Sequence, residues 1–401
     1  MNKKILVLML SAVMLTGCSP ADKGISDVAA SDKSSAAASS SSAASVPAAE
    51  DESKPNKGDM VMHDYAGSNF VYSPVSLNTA LAMLNEGTSE EAGKEIVSFI
   101  GNADYKKFVQ DSENRKDYKV ANSLWTSKEY QIKDAFRNAV ISDYNAEAKT
   151  VDFNRPSAST EINRWVSDNT NGLIKDIVTH ENLTQMTAAI LINTIYFNDT
   201  WISPFSYTDS QDFKNTDLST GKVDMMHGNM DSYFEYGSSL AGIVKKYSNG
   251  CSFIAAKSKN GAAMTGDNSS ISAMIRASAS PIAYDEEVLD LPKYTIDTTE
   301  DRLKDELTAS GVTKIFDAES DSLSGISDAK LYVDSVLQKA HISVDESGTE
   351  ASAATEIGIN ATCVGTEPAS SIEMNFDTPF IYAIVDESGN VLFEGYFGQA
   401  G

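Results

Sequence analysis

The sequence predicts one α+β domain with large antiparallel sheets, preceded by an N-terminal leader. Helical and strand-like patterns interleave along the 401 residues, without a repeat or a clear linker once the leader ends. Residues 188–197 form an apolar run typical of a central strand covered on both faces. Near the end of the chain, residues 380–385 and 391–397 flank a turn with Gly389, which indicates a hairpin. We therefore assign residues 58–401 to one folded domain.

The helices are located by the residues at their ends. Ser73 followed by Pro74 is typical of a helix start, with serine as the cap and proline in the first turn. A second helix is predicted after Pro156, ending before Gly172, and a third ends at Gly311. Each carries apolar residues at helical spacing, so each is expected to bury one face.

The first 57 residues have the composition of an export leader and a tether. A positively charged start precedes an apolar run over residues 5–15, which is too short to span a membrane as a helix. The sequence Leu-Thr-Gly-Cys at residues 15–18 resembles a bacterial lipobox, in which Cys18 is lipidated. The alternative is an ordinary cleaved signal with an incidental cysteine. We expect a lipoprotein signal peptide at 1–17, a Ser/Ala-rich tether at 18–57, and an exported protein anchored at the bacterial cell surface.

Composition argues against several classes of function. A formal charge of −25 disfavours nucleic acid and polyanionic cofactors. The common hydrolase, metalloprotease, dinucleotide and Cys-x-x-Cys motifs are absent from the sequence. Four histidines do not exclude a dispersed Ser/His/Asp triad, but nothing in the sequence supports one. His63, His180 and His227 lack metal-ligand spacing, so we interpret them as ordinary residues and expect no cofactor and no enzyme activity.

The segment from Thr349 to Ser371 suits two different environments. It is polar and long enough to be an exposed loop, and its Ala, Ser and Gly residues are weak strand formers. As a strand, however, it would place alternate residues on opposite faces. The set suited to a crowded core is Thr349, Ala351, Ala353, Thr355, Ile357 and Ile359, and the set suited to water is Glu350, Ser352, Ala354, Glu356 and Gly358.

This segment and other motifs resemble the serpins, the suicide inhibitors of serine proteases. The sequence Asp-Glu-Ser-Gly-Thr-Glu-Ala-Ser-Ala-Ala-Thr at 345–355 is similar to the serpin hinge. Residues 69–77 resemble the opening motif of the family, and residues 188–201 resemble the third strand of its main sheet. Leu-Pro-Lys at 291–293 and Phe-x-x-Pro-Phe at 376–380 follow in the expected order. Several short motifs in one order over about 340 residues make the resemblance specific.

The resemblance implies a fold with three β-sheets, a large central mixed sheet, about eight or nine helices and an exposed reactive-centre loop. It implies a polar cluster called the shutter beneath the point where the central strands part, and a tryptophan, Trp201, beneath the point where the loop enters. Shutter candidates are Ser73, Ser76, Asn193 and His341. Hinge candidates are Glu346, Gly348, Thr349, Glu350, Ala351, Ser352, Ala353 and Ala354.

The reactive bond is placed by counting along the loop. About fourteen residues from Gly348, as is usual in the family, the count reaches Thr362 and Cys363, with Ala361 and Val364 as neighbours. Counting back from Pro379 gives a bond near Pro368 instead. We prefer the first count, because insertion length decides how far a protease is carried.

The residues around this bond indicate the target. Residues 357–369 contain no Arg, Lys, Phe, Tyr, Leu or Met, which favours an elastase-like serine protease as the covalent partner. The alternative is a non-inhibitory serpin or a surface binding lipoprotein, and the small residues of the hinge favour an inhibitor.

Two further expectations concern thiols and partners. Cys251 and Cys363 are expected to be free, because a disulfide would pin the loop. Residues 97–120 are too short and too broken for the long helix by which some serpins bind heparin, so heparin binding is not expected. We expect a monomer.

Overall fold

The computed structural model describes residues 4–14, 67–261, 268–349 and 370–400. These residues form three β-sheets and seven α-helices, a mixed α+β architecture. The helices are α1 Pro74–Asn85, α2 Glu90–Ile100, α3 Tyr105–Ser112, α4 Asp134–Tyr144, α5 Pro156–Asn169, α6 Asn268–Ser278 and α7 Leu303–Ala309.

The eight-stranded central sheet has the order β4-β3-β5-β1-β14-β15-β6, and β13 also pairs with β14. Its strands are β1 Lys4–Met14, β3 Tyr118–Ser127, β4 Glu147–Val151, β5 Thr187–Phe197, β6 Asp199–Thr200, β13 Tyr294–Glu300, β14 Leu331–Val344 and β15 Gly348–Thr349.

The two smaller sheets complete the fold. A six-stranded sheet has the order β2-β18-β17-β11-β10-β9, and a four-stranded sheet has the order β16-β12-β8-β7. Their strands are β2 Phe70–Tyr72, β7 Tyr207–Lys214, β8 Thr220–Asn229, β9 Ser232–Tyr236, β10 Leu240–Lys246, β11 Ser252–Ser258, β12 Glu286–Pro292, β16 Ser371–Asn375, β17 Phe380–Val385 and β18 Val391–Phe397.

The central strand β5 is covered on both faces, as its apolar sequence predicts. Its residues Ala189, Leu191 and Ile195 belong to the main hydrophobic core. Ile190 and Ile192, which alternate with them, belong to a second core beneath α5. Because both faces are occupied, β5 can exchange partners only along its edges.

Helix α1 begins as the sequence predicts and lies against β5. The Ser73 hydroxyl accepts a hydrogen bond from the Ser76 N–H, and Pro74 occupies the first turn. From Pro74 to Leu84 every residue is buried, so α1 is a core helix rather than a surface one. The β17–β18 hairpin also matches its prediction, with Gly389 at a φ of +88° in the turn.

The N-terminal segment differs from expectation. We placed the start of the fold near residue 58, whereas Lys4–Met14 forms β1 between β5 and β14, parallel to both. The segment contains neither proline nor glycine, so it can pair on both of its edges. Lys4–Met14 therefore takes the position that separates β5 from β14.

Candidate functional site

The start of the predicted hinge is already a strand of the central sheet. Thr349 pairs with Val344 and Asp199, and Gly348 pairs with Thr200, so β15 lies between β14 and β6. The Thr349 side chain is fully buried and its hydroxyl hydrogen-bonds to the hydroxyl of Tyr247. The alternation of the sequence had assigned Thr349 to the face that enters the core, and this is where the structure places it.

Gly348 is required by the close approach of the backbone. A Cβ at this position would lie 2.2 Å from the carbonyl oxygen of Asp199. The turn before it is held by the Asp345 carboxylate, which accepts the N–H groups of Ser347 at 2.8 Å and Gly348 at 3.2 Å. Sequence and packing therefore fix the first residues of the loop at one place in the sheet.

A second segment, residues 201–205, holds the hinge from the side. The Trp201 backbone N–H donates to the Ser347 carbonyl, its indole N–H donates to the Asp345 carbonyl, and the Phe205 N–H donates to the Glu346 carbonyl, each at 2.9 Å. Trp201 is buried and stacks on Tyr247 with ring centroids 4.2 Å apart. Trp201 therefore contacts the hinge directly rather than only filling the core.

The side chain of Glu346 anchors the outer edge of the hinge. It accepts hydrogen bonds from the Lys293 ammonium at 2.7 Å and from the Thr208 hydroxyl at 2.8 Å. Partial burial raises the pKa of Glu346. The hydrogen bonds from Lys293, the Glu346 backbone and Thr208, together with the charge of Lys293, outweigh burial, so the pKa of Glu346 lies below its usual value. We call Trp201, Tyr247, Lys293, Glu346 and Thr349 the hinge cluster.

A chain of buried amide and hydroxyl groups crosses the sheet beneath α1. The Ser76 hydroxyl donates to the side-chain oxygen of Asn193 at 2.6 Å. The Asn193 amide donates to Asn122 at 2.8 Å, and the Asn122 amide donates to the Tyr144 carbonyl at 2.7 Å. Sequence reasoning missed Asn122, which lies directly opposite Asn193 in the β3–β5 pairing. Only the register of that pairing would have revealed it.

Ser73 is held by a residue that the sequence analysis did not single out. The backbone N–H of Ser73 donates to the Gln338 side-chain oxygen at 2.8 Å, and the Gln338 amide donates to the Ser73 carbonyl at 3.1 Å. Gln338 lies on β14 and is buried. We call Ser73, Ser76, Asn122, Asn193 and Gln338 the amide cluster.

The prediction that His341 belongs to the shutter is wrong. Its ring hydrogen-bonds to Asp297 on β13 at 2.7 Å instead. His341 and Gln338 are three residues apart on one strand, so their side chains point to opposite faces of the sheet. Alternation along β14 therefore places Gln338, not His341, beneath α1.

Several predicted site residues lie outside the described residues. They are Cys18, the hinge residues Glu350, Ala351, Ser352, Ala353 and Ala354, and the reactive-bond candidates Ala361, Thr362, Cys363 and Val364. The second predicted free thiol, Cys251, is described. It is unbridged and buried, and it donates to the Asp117 carboxylate at 2.9 Å. Burial raises the pKa of Cys251, so this thiol is not poised as a nucleophile.

In the described part of the chain, the helices are all too short or too polar to cross a bilayer.

The central sheet has room for one strand between β5 and β14, and the hinge of the loop is already paired at one end of this position. These two features are typical of proteins that take up an additional strand. The comparisons agree with this class. Residues 59–399 match the family model described as Serpin (serine protease inhibitor). The chain belongs to the serpin family, a family of serine protease inhibitors.

Individual relatives cover most of the chain. An uncharacterized serpin-like protein of Methanosarcina acetivorans is 30% identical, over 82% of this chain and 81% of its own length. Neuroserpin of Mus musculus is 29% identical, over 82% of this chain and 85% of its own. Among solved structures, a highly specific serpin of Tenebrio molitor superposes with a TM-score of 0.66 at 26% identity, over 83% of this chain and 92% of that one.

Proposed function

We propose that this serpin is a suicide inhibitor of elastase-like serine proteases. The observation that carries the proposal is the pairing of Thr349 between β14 and β6. An inhibitory loop must enter the sheet residue by residue, and here its first strand residues are already inside. Residues 351–354, which follow Glu350, are all Ala or Ser, and the sequence has no proline between Thr349 and Pro368. The charged residues Glu350 and Glu356 alternate with Thr349 and so fall on the opposite face of an inserted strand.

The mechanism needs no catalytic group from the inhibitor. A serine protease attacks the loop and forms its acyl-enzyme, in which the new amino terminus has already left. The freed loop continues from Thr349 between the edges of β5 and β14, antiparallel to both, and about fourteen residues at roughly 3.3 Å each span about 46 Å. The tethered protease is thereby carried along the sheet and its active site is distorted before water hydrolyses the ester.

Insertion requires that the position between β5 and β14 be free. In the chain that retains residues 1–17, Lys4–Met14 occupies this position. Removal of residues 1–17 at export leaves both strand edges to the loop. Maturation of the leader and competence for insertion are therefore linked in this proposal.

Specificity follows from the residues around the proposed bond after Thr362. The shallow apolar primary pocket of an elastase-like protease accepts Ala, Thr, Cys or Val. Trypsin-like proteases require a basic residue and chymotrypsin-like proteases a large aromatic one, and residues 357–369 contain neither. With lipid on Cys18, the inhibitor would be held at the cell surface by the 18–57 tether and would shield the cell from external proteases.

The test is a panel of trypsin, chymotrypsin, elastase, subtilisin and papain at equal activity, incubated with the chain that starts at Cys18. We expect detergent-resistant complexes with elastase, and a released peptide whose mass places the bond within about two residues of Thr362. Complexes with trypsin alone, or cleavage by elastase without trapping, would contradict the assignment. Membrane fractionation of Cys18→Ala tests the anchor separately, and an unchanged distribution would reject the lipobox.

A further inference from the structure

Lys245 is a buried lysine that packs against aromatic side chains. It lies on β10 and its side chain is fully buried. Its ammonium donates to two backbone carbonyls, those of Ser203 and Asn229, each at 2.7 Å. A buried ammonium is tolerated only where such acceptors compensate for lost water. These two contacts therefore fix the ammonium between β8 and the 201–205 segment.

The same ammonium lies against the aromatic rings that face the hinge. It is 4.5 Å from the ring centroid of Phe205 and 5.5 Å from that of Trp201, within the range of cation–π attraction. Trp201 and Phe205 are the residues whose backbone N–H groups hold Ser347 and Glu346. These contacts of Lys245 therefore reach the hinge only through Trp201 and Phe205.

We propose that Lys245 is a positioning residue for loop insertion: its ammonium holds residues 201–205 in the arrangement that pairs with the hinge. Loss of the ammonium leaves the Ser203 carbonyl without its charged donor and removes the attraction to both rings. The segment is also tied to β10 by the Ile202 N–H, which donates to the Lys246 carbonyl at 3.0 Å. The expected result is therefore a looser hinge rather than an unfolded one.

Most charged groups near β10 are paired with other residues or exposed. Asp231 is the carboxylate whose field reaches the ammonium. On the neighbouring strands, Glu235 pairs with Lys259 and Lys257 pairs with Asp377. His227, on β8, lies between Asp209 and Asp290. Arg276 of α6, which packs against β10, is exposed.

Burial gives the proposal a pH signature with two opposite parts. Burial lowers the pKa of Lys245 from 10.5 to about 8, whereas the unfolded chain keeps the ordinary value. Between these two values the unfolded state binds more protons, so stability against global unfolding rises as the pH increases. Over the same range the native ammonium is lost, so the hinge opens more readily. A buried lysine without a role at the hinge would show the change in global stability but not the change in hinge opening.

The experiment is hydrogen exchange of the hinge amides at Ser347, Gly348 and Thr349 in the full chain, corrected for intrinsic rates, at pH 7 and pH 9. Lys245→Met keeps the length of the side chain, and Lys246→Met, at the exposed neighbour, is the matched control. We expect about tenfold faster hinge exchange in Lys245→Met at pH 7, and wild-type exchange that approaches this level at pH 9.

Equal exchange in wild type and Lys245→Met at pH 7, or a wild-type pH response retained in Lys245→Met, would overturn the proposal. If Lys245→Met does not fold, hinge exchange is compared at pH 7 and pH 9 in wild type and in Lys246→Met. Exchange that is independent of pH in both proteins would also overturn the proposal. The inference rests on the proposed function for its role in inhibition, yet the exchange measurement needs no protease. A chain that traps no protease but shows the exchange pattern would therefore reject the proposed function alone.

Discussion

The hinge cluster and the amide cluster lie at different points along the central sheet and differ in chemistry. The hinge cluster combines an ion pair between Lys293 and Glu346, stacked aromatic rings and backbone pairing of the loop itself. The amide cluster contains only hydroxyl and amide side chains, which both donate and accept. Neutral groups of this kind can exchange partners when strands part, without stranding a charge. In the proposed mechanism, the hinge cluster would decide where insertion starts, and the amide cluster would permit it to continue.

The largest expected effect is that of loop cleavage, which tests whether the two regions act in sequence. In the chain that starts at Cys18, cleavage near Thr362 should raise the melting temperature by about 10 °C or more, because a full strand is added to the sheet. In the full chain, where Lys4–Met14 fills the position, the gain should be much smaller. Melting of intact and nicked samples of both chains measures it, and equal temperatures for nicked and intact mature chain would remove the inhibitory interpretation.

Next in size is a charge placed at the buried end of the hinge cluster. Thr349→Arg would force a guanidinium into a fully buried site beside Tyr247, at a cost of several kcal/mol. We expect cleavage by elastase without a covalent complex, so that the inhibitor becomes a substrate. Thr349→Ser retains the hydroxyl and serves as the control. Trapping by the arginine variant, seen as a detergent-resistant band, would mean that insertion does not require the buried position of Thr349.

A smaller effect is expected in the amide cluster. Asn193→Ala would leave the Ser76 hydroxyl without its acceptor and the Asn122 side-chain oxygen without its donor, at a cost of about 1–3 kcal/mol. Chemical denaturation measures the loss. Because the five side chains of the cluster have no ionisable group in the ordinary range, the loss should be the same at pH 5 and pH 8. A loss that varies with pH would show that a titratable neighbour takes part.

The smallest expected effect concerns the partly exposed ion pair of the hinge cluster. Lys293→Met should cost about 1 kcal/mol at pH 7, since both side chains retain contact with water. The pKa of Glu346 is lowered in the native state, so the contribution is present above the unfolded value of 4.5 and is lost as the pH falls through the native one. Thermal melts at pH 7 and pH 3 should therefore differ less in Lys293→Met than in wild type. Lys246→Met is the control for charge alone.

The elements with local signals followed from the sequence. The Ser73 cap and Pro74 predicted the start of α1, and the apolar run predicted a β5 covered on both faces. Alternation from Thr349 predicted that Thr349 itself faces the core, and its side chain is buried. Each of these features depends on only a few neighbouring residues, because the period of a helix or a strand is short. Each can therefore be predicted from one segment of the sequence.

Other features depend on partners far apart in the chain. Gln338 meets Ser73 across 265 positions, and Asn193 meets Asn122 across 71. The assignment of His341 to the shutter was wrong because the residue in that position is Gln338. The two residues are three positions apart on β14, so their side chains lie on opposite faces of the sheet. The placement of β1 depended on the facing edges of β5 and β14, which no local pattern specifies.

By itself, the sequence determined the predicted ends of α1, α5 and α7, the central strand, the terminal hairpin and the burial of Thr349, because short-range periodicity and capping are properties of neighbouring residues. Only the tertiary structure decided that Gln338 and Asn122 complete the amide cluster, that Lys245 is buried beneath Trp201, and that Lys4–Met14 lies between β5 and β14. Strand register and the sharing of buried polar groups are set by contacts between distant segments, and these form only when the whole chain has packed.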